Sequence, residues 1–173
     1  SQPFHLKDVD SLYRAMKYSN VVINLIGKGI ETTNFDFDAV HVEGARTIAR
    51  IAKESGVRRL IHVSALNVQP ELTRHVLKKK GSNFYRSKYY GELAVREEFP
   101  EATIFRPASI WGQEDKFLFP LAKWQRRQIW RLPLWEGGRG VFKQPVWMYD
   151  LAKGIVYSIT DNEAIGNTYE AYG

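Results

Sequence analysis

The chain has 173 residues, 44% of them hydrophobic and 13% aromatic, which fits one globular domain with a real core. It lacks cysteine, so disulfides and thiolate metal sites are excluded, and its mean hydropathy of -0.37 without a long apolar run leaves no candidate for a membrane-spanning helix. The formal charge of +6 suits an acidic protein surface, anionic lipid or nucleic acid, but no zinc finger, RNA-recognition aromatic pair or basic helix supports nucleic acid.

Asp8 or Asp10 can cap a short helix carrying Leu12, Ala15 and Met16 on one face. Val21-Val22-Ile23-Asn24-Leu25-Ile26-Gly27 follows, and its β-branched front half predicts a strand buried on both faces, as in a parallel sheet. In such folds ligands sit past the carboxyl ends of the strands. Asp36 and Asp38 read as helix-cap carboxylates. Val40, Gly44, Ile48, Ile51 and Ala52 then share one helical face, with Gly44 placed for close packing on the sheet and Gly56 as the stop. Leu60 to Ser64 is the second strand, so the helix from Val40 to Ser55 is a crossover between parallel strands. His62 reads as a satisfied sheet histidine.

Beyond Ser64 lies a polar stretch with the basic run Lys78-Lys79-Lys80. A helix from Phe84 to about Phe99 carries Lys88, Gly91 and Glu92, and Pro100 stops it. Ala102 to Arg106 is the third strand. Phe117 to Arg127 predicts a basic, aromatic helix, and Val141 to Tyr149 an extended segment. Asp150 is expected to cap a last helix with Leu151, Ile155, Val156 and Ile159 inward, before a strand at residues 168–172. His5, His41, His62 and His75 are scattered without metal-ligand spacing, so no metal site is expected. The order of elements predicts one α/β domain over residues 1–173, a Rossmann-like doubly wound parallel sheet. Neither a G-x-G-x-x-G nor a G-x-x-G-x-x-G motif occurs, and the chain opens on what reads as a third βα unit, so either it is a fragment that lacks the N-terminal glycine-loop unit and the C-terminal end, or it is not a nucleotide binder.

The strand and loop at Asn24 to Gly27, the strand ending in Ser64, and Lys88 followed by Gly91-Glu92 resemble the extended and atypical short-chain dehydrogenase/reductases. Further segments, among them Glu31-Thr32-Thr33-Asn34-Phe35-Asp36-Phe37, Phe99-Pro100-Glu101-Ala102-Thr103-Ile104 and Gly112-Gln113-Glu114-Asp115-Lys116-Phe117-Leu118, are similar to a branch that serves as accessory subunits of mitochondrial respiratory complex I. The resemblance implies a bound NADPH. Leu25, Ile26 and Gly27 would meet its adenosine half, Ser64 and Ala65 would lie below the nicotinamide ribose, Lys88 would bond the ribose hydroxyls, and Pro107, Ala108, Ser109 and Ile110 would approach the carboxamide. On the residues alone, Lys88 reads first as an exposed helix lysine, and Ser64 equally as a hydroxyl that closes a strand by bonding the next turn.

The parent family's proton donor is a Tyr four residues before the Lys. That position here is Phe84, which has no hydroxyl, and the adjacent Tyr85 is turned by about 100° on the helix. The resemblance therefore implies a non-catalytic subunit, with no catalytic residue. It would be peripheral on the matrix side of the mitochondrial inner membrane, in contact with other complex I subunits and with anionic lipid. Lys78 to Lys80, and Lys123 to Arg131 with Trp124, Trp130 and Trp135, are the expected contact segments. Two alternatives stay open: an active NADP-dependent reductase using Tyr85, and a dinucleotide-sensing regulatory module.

Overall fold

Short apolar strands form the middle of the molecule in a computed structural model that describes residues 5–70, 82–116, 118–127, 137, 139–140 and 142–173. Helix α1 (Val9–Met16) opens it, with the Asp8 carboxylate accepting the Ser11 N–H at 3.2 Å. Strand β1 (Val21–Asn24) leads through a loop to a π-helical turn (Ala39–Glu43) and α2 (Gly44–Glu54). Strand β2 (Arg59–Val63), α3 (Asn83–Glu98) and β3 (Thr103–Pro107) follow. Then come β4 (Ile110–Trp111), α4 (Leu118–Arg127), β5 (Val146–Trp147), α5 (Met148–Thr160) and β6 (Thr168–Ala171). The main sheet is parallel with order β1-β2-β3-β6, and β4 pairs with β5 in a separate parallel ladder.

The central strands β2 and β3 are buried on both faces, as helices covering both sides of a sheet require. Strand β1, expected to be buried on both faces, instead lies at the sheet edge with Ile23 39% exposed, and β6 at the other edge is largely exposed. Leu60 joins Leu12, Ile48, Ile51 and Val95 in a core beneath α1, α2 and α3. Its neighbour Ile61 points the other way, into a second core with Phe105, Val146, Leu151 and Ile155. The α2 stop works as expected: Gly56 takes φ +73°, Val57 N–H bonds Ala52 O at 3.0 Å, and Gly56 N–H bonds Lys53 O at 3.1 Å. Asp36 caps the π turn through the Ala39 N–H at 2.7 Å, whereas Asp38 makes no capping bond.

Several local expectations change. A Cβ at Gly44 would come within 2.7 Å of Leu6 Cδ2, so this glycine makes room for the N-terminal segment rather than for the sheet. Of the segment expected to be extended up to Tyr149, only Val146–Trp147 pairs as a strand, and the chain turns directly from it into α5. Trp147 therefore holds the N-cap position without a side-chain bond. Asp150 sits in the first helical turn instead, 3.9 Å from Lys153, where a carboxylate still complements the helix dipole.

Helix α3 is pinned to β3 by one ion pair. Glu92, 5% exposed, receives Arg106 through Nε and Nη2 at 2.6–3.2 Å. This pairing holds the Arg106 guanidinium pKa above its ordinary value. Replacing Glu92 by Gln leaves Arg106 without its main counter-charge. Breaking a buried pair from one side costs about 3–5 kcal/mol. Arg106 keeps Glu170 at 3.9 Å and remains partly wet, so the expected loss is nearer 2 kcal/mol, read as a lower urea midpoint at unchanged slope. A midpoint within experimental error of the parent would show that the pair does not hold α3.

Candidate functional site

The carboxyl ends of β1, β2 and β3 converge on a group of buried polar side chains. Asn24 and His62 are register partners on adjacent strands. Asn24 Oδ1 accepts the Ile26 N–H at 3.0 Å, shaping the loop after β1. Its amide nitrogen therefore faces His62 Nδ1, at 3.1 Å, and donates to it. His62 Nε2 then carries the ring proton, and among the described residues it has no acceptor. His62 is thus half satisfied, not fully. Two residues on, the Ser64 hydroxyl is also buried without a partner, while its backbone N–H bonds Phe105 O at 2.7 Å. Ser64 therefore does not close the strand through its side chain.

Lys88 is 5% exposed, against the expectation of a surface lysine. The Glu92–Arg106 anchor one turn later holds α3 so close to the sheet that the Lys88 stem runs inward. Its amine donates to Val63 O at 3.3 Å, and a Cβ on Gly27 would lie 3.1 Å from it. Gly27 thus gives the loop room to cross directly over the amine. Burial pushes the Lys88 pKa from 10.5 down to about 8, against the opposing pull of Glu92. Buried polar groups in a folded protein are nearly always hydrogen-bonded. The unpartnered Ser64 hydroxyl and His62 N–H beside a thinly bonded ammonium form a cradle suited to a hydroxyl-rich, anionic ligand.

His41 completes the cluster, and the sequence reading missed it. It is 2% exposed on the π turn. Nε2 accepts the Lys28 N–H at 3.0 Å, so the ring proton lies on Nδ1, which donates to Ser87 Oγ at 2.8 Å. Ser87 Oγ passes its own proton to Phe84 O at 2.9 Å. The Phe84 ring stands edge-on to His41 with centroids 5.3 Å apart, and Phe37 stacks on His41 at 5.5 Å. The signal for His41 was its place at the start of an apolar helical stripe, where a histidine must find partners inside.

Beside Ser64 lie two adjoining clefts of about 500 and 440 Å³, and neither Lys88 nor Gly27 lines them. Ala65, Pro107, Ala108 and Ser109 line both; Ser64 and Ile110 line the smaller, Phe84 and Tyr85 the larger. Of the other anticipated contacts, Leu25 is exposed and lines neither cleft, and Ile26 packs against the helix-side core. The basic run Lys78 to Lys80, Trp130, Trp135 and the Trp124 side chain lie outside the described residues. Among the described residues no group of histidines and carboxylates could hold a metal ion, and no helix is long and apolar enough to cross a membrane.

The buried histidines set an acid limit. Burial first, and the Lys88 charge second, push His41 from 6.5 down to about 4 and His62 to about 3. The folded state therefore binds fewer protons than the unfolded one below pH 6.5, and stability is lost as pH falls from there toward 3. Each histidine should cost about 2 kcal/mol between pH 7 and pH 5, above the range where most carboxylates titrate. Urea midpoints at the two pH values test this. Equal stabilities would mean that these rings are not held neutral inside.

A parallel sheet covered on both faces, with a polar cradle at its carboxyl edge, defines a Rossmann-like nucleotide-binding fold. Residues 4–116 match the NAD(P)H-binding family, and the chain belongs to it. A short-chain dehydrogenase/reductase superfamily protein from Agrobacterium tumefaciens with bound NAD superposes with TM-score 0.76 at 22% identity, covering 97% of this chain and 64% of that one. The chain is 46% identical over 167 residues to the mitochondrial NADH dehydrogenase (ubiquinone) 1 alpha subcomplex subunit 9 of Mus musculus, covering 96% of this chain and 42% of that protein. It is 35% identical over 170 residues to the mitochondrial NADH-ubiquinone oxidoreductase 40 kDa subunit of Neurospora crassa, covering 98% and 42%. The chain thus spans less than half the length of these curated relatives.

Proposed function

We propose that this chain is the dinucleotide-binding part of a non-catalytic accessory subunit of mitochondrial respiratory complex I, holding NADPH as a structural group. The observation that carries this reading is Lys88: a buried amine between the β1 loop and the Ser64 strand end, with a ring that has no hydroxyl four residues before it. The residues present fit the nucleotide. Lys88 would hold ribose hydroxyls, Ser64 would bond the same ribose, and Pro107 to Ile110 would flank the carboxamide along the smaller cleft. Leu25 to Gly27 would support the adenosine side.

Bound nicotinamide supplies hydride chemistry in enzymes of this fold, but a proton must also be delivered within hydrogen-bond reach of the reacting atom. Phe84 cannot deliver one, and its ring is committed to packing on His41. The nucleotide then acts by mass action, stabilising the folded subunit by about 2.7 kcal/mol when present at a hundredfold excess over its Kd. The similarity to complex I subunits supports a peripheral position on the matrix side of the inner membrane, near the junction of the two arms, with other subunits and anionic lipid as partners. The exposed Leu118, Phe119 and Leu121 on α4, beside Lys123 and Arg126, suit such contacts.

Active reduction is the second reading, because Tyr85 lines the larger cleft together with Ala65 and Ser109. One experiment separates the two. The full-length protein is purified without added nucleotide and denatured, and the supernatant is assayed for NADPH and NADH by mass spectrometry, beside a reductase assay on intact protein. Near-stoichiometric NADPH without turnover supports the structural group. Turnover of a carbonyl substrate that disappears in Tyr85→Phe supports the enzyme, and protein that carries no nucleotide and shows no turnover rejects the structural group and leaves a bare scaffold.

A further inference from the structure

We infer that His41 is a positioning residue for the dinucleotide: it locks the loop after β1 to the helix that carries Lys88, so that the two sides of the cradle hold a single geometry. This rests on the dinucleotide reading above. The lock is an unbroken hydrogen-bond chain. Lys28 N–H donates to His41 Nε2, His41 Nδ1–H to Ser87 Oγ, and Ser87 Oγ–H to the Phe84 carbonyl. One end is the residue after Gly27, whose backbone lies over the Lys88 amine; the other is the first turn of α3, with Ser87 next to Lys88.

The backbone makes a second contact at the same point. Gly91 lies so near the His41 carbonyl that a Cβ there would sit within 3.0 Å of the carbonyl carbon. The π-helical turn Ala39–Glu43 sets His41 between loop and helix, and such turns often mark functional positions. A neutral ring is required, because Nε2 must accept, and burial together with Lys88 holds it neutral at physiological pH. Phe37 and Phe84 fix the ring plane. Any buried histidine needs partners, but these two hydrogen bonds join the loop after β1 to the helix that carries Lys88.

The test compares His41→Phe, His41→Gln and Ser87→Ala in the full-length protein, with the NADPH dissociation constant read from nucleotide fluorescence. Phe keeps the aromatic packing and loses both hydrogen bonds; Gln keeps an acceptor for Lys28 and a donor for Ser87. His41→Phe is expected to weaken NADPH binding at least tenfold, Ser87→Ala several-fold, and His41→Gln to stay within about threefold of the parent. Binding by His41→Gln as weak as by His41→Phe would overturn the inference, since keeping an acceptor for Lys28 and a donor for Ser87 would then preserve nothing. If His41→Phe does not fold, Ser87→Ala decides, and an unchanged dissociation constant there overturns the inference. A parent protein that binds no NADPH removes the dinucleotide reading and the inference with it, whereas parent binding with insensitive variants removes the inference alone.

Discussion

Replacing Lys88 with Met is expected to stabilise the protein without nucleotide and to remove all stabilisation by nucleotide. Inside the fold the ammonium has one hydrogen bond among the described residues, to Val63 O at 3.3 Å. Burial lowers its pKa from 10.5 to about 8, a penalty of about 3 kcal/mol at neutral pH. Met is unbranched, of similar length, and carries no charge to desolvate. The lost hydrogen bond offsets about 1 kcal/mol of the gain. The net is about 2 kcal/mol, or roughly 4–8 °C in melting temperature for a chain of this size.

The pH dependence supplies a second signature. Because the folded Lys88 pKa is depressed, the unfolded state binds more protons between about pH 8 and 10.5, so the parent gains stability as pH rises through that window. Lys88→Met should lack that rise. Added NADPH should raise the melting temperature of the parent and leave the variant unmoved. A variant less stable than the parent at pH 7 without nucleotide would mean that the amine is structural, and the functional reading of the cradle would fall.

Much of the scaffold was legible in the sequence because its signals are local. β-branched runs ending in polar residues marked β1, β2 and β3, and Gly56 stopped α2 where its positive φ requires glycine. Ser64, Ala65 and Pro107 to Ile110 were also placed together, since each follows a strand of one parallel sheet. The misses are groups whose meaning depends on what meets them across the fold. His41 looked like one of four scattered histidines until the π turn brought it against Ser87, 46 residues away. Glu92 and Arg106 are unremarkable apart; together they drive Lys88 inward and reverse its expected exposure. Asp150 failed as a cap for a geometric reason, because β5 turns into α5 without the extra residues that a capping Asp would need.

Gly91→Ala tests whether the approach of α3 to the π turn sets the site. In an exposed helix interior this substitution gains about 1 kcal/mol of helix propensity. Here the new methyl would meet the His41 carbonyl, a backbone group that cannot rotate away. Helix α3 cannot easily retreat either, being tied to β3 by Glu92–Arg106 and to His41 by Ser87. Overpacking costs about 1–3 kcal/mol where side chains can yield, and more where they cannot. The clash therefore outweighs the propensity, and a net loss of about 2–3 kcal/mol is expected in a urea titration. The displaced carbonyl also carries the imidazole out of register, so the Lys28 amide should lose its protection in hydrogen exchange before the global unfolding limit. If the variant is as stable as the parent and the Lys28 amide stays protected, α3 and the π turn separate freely and cannot transmit geometry between the loop and Lys88. If amide protection is lost while most of the stability remains, the coupling is local to the cradle, as a site assembled from a loop and a helix across one histidine requires.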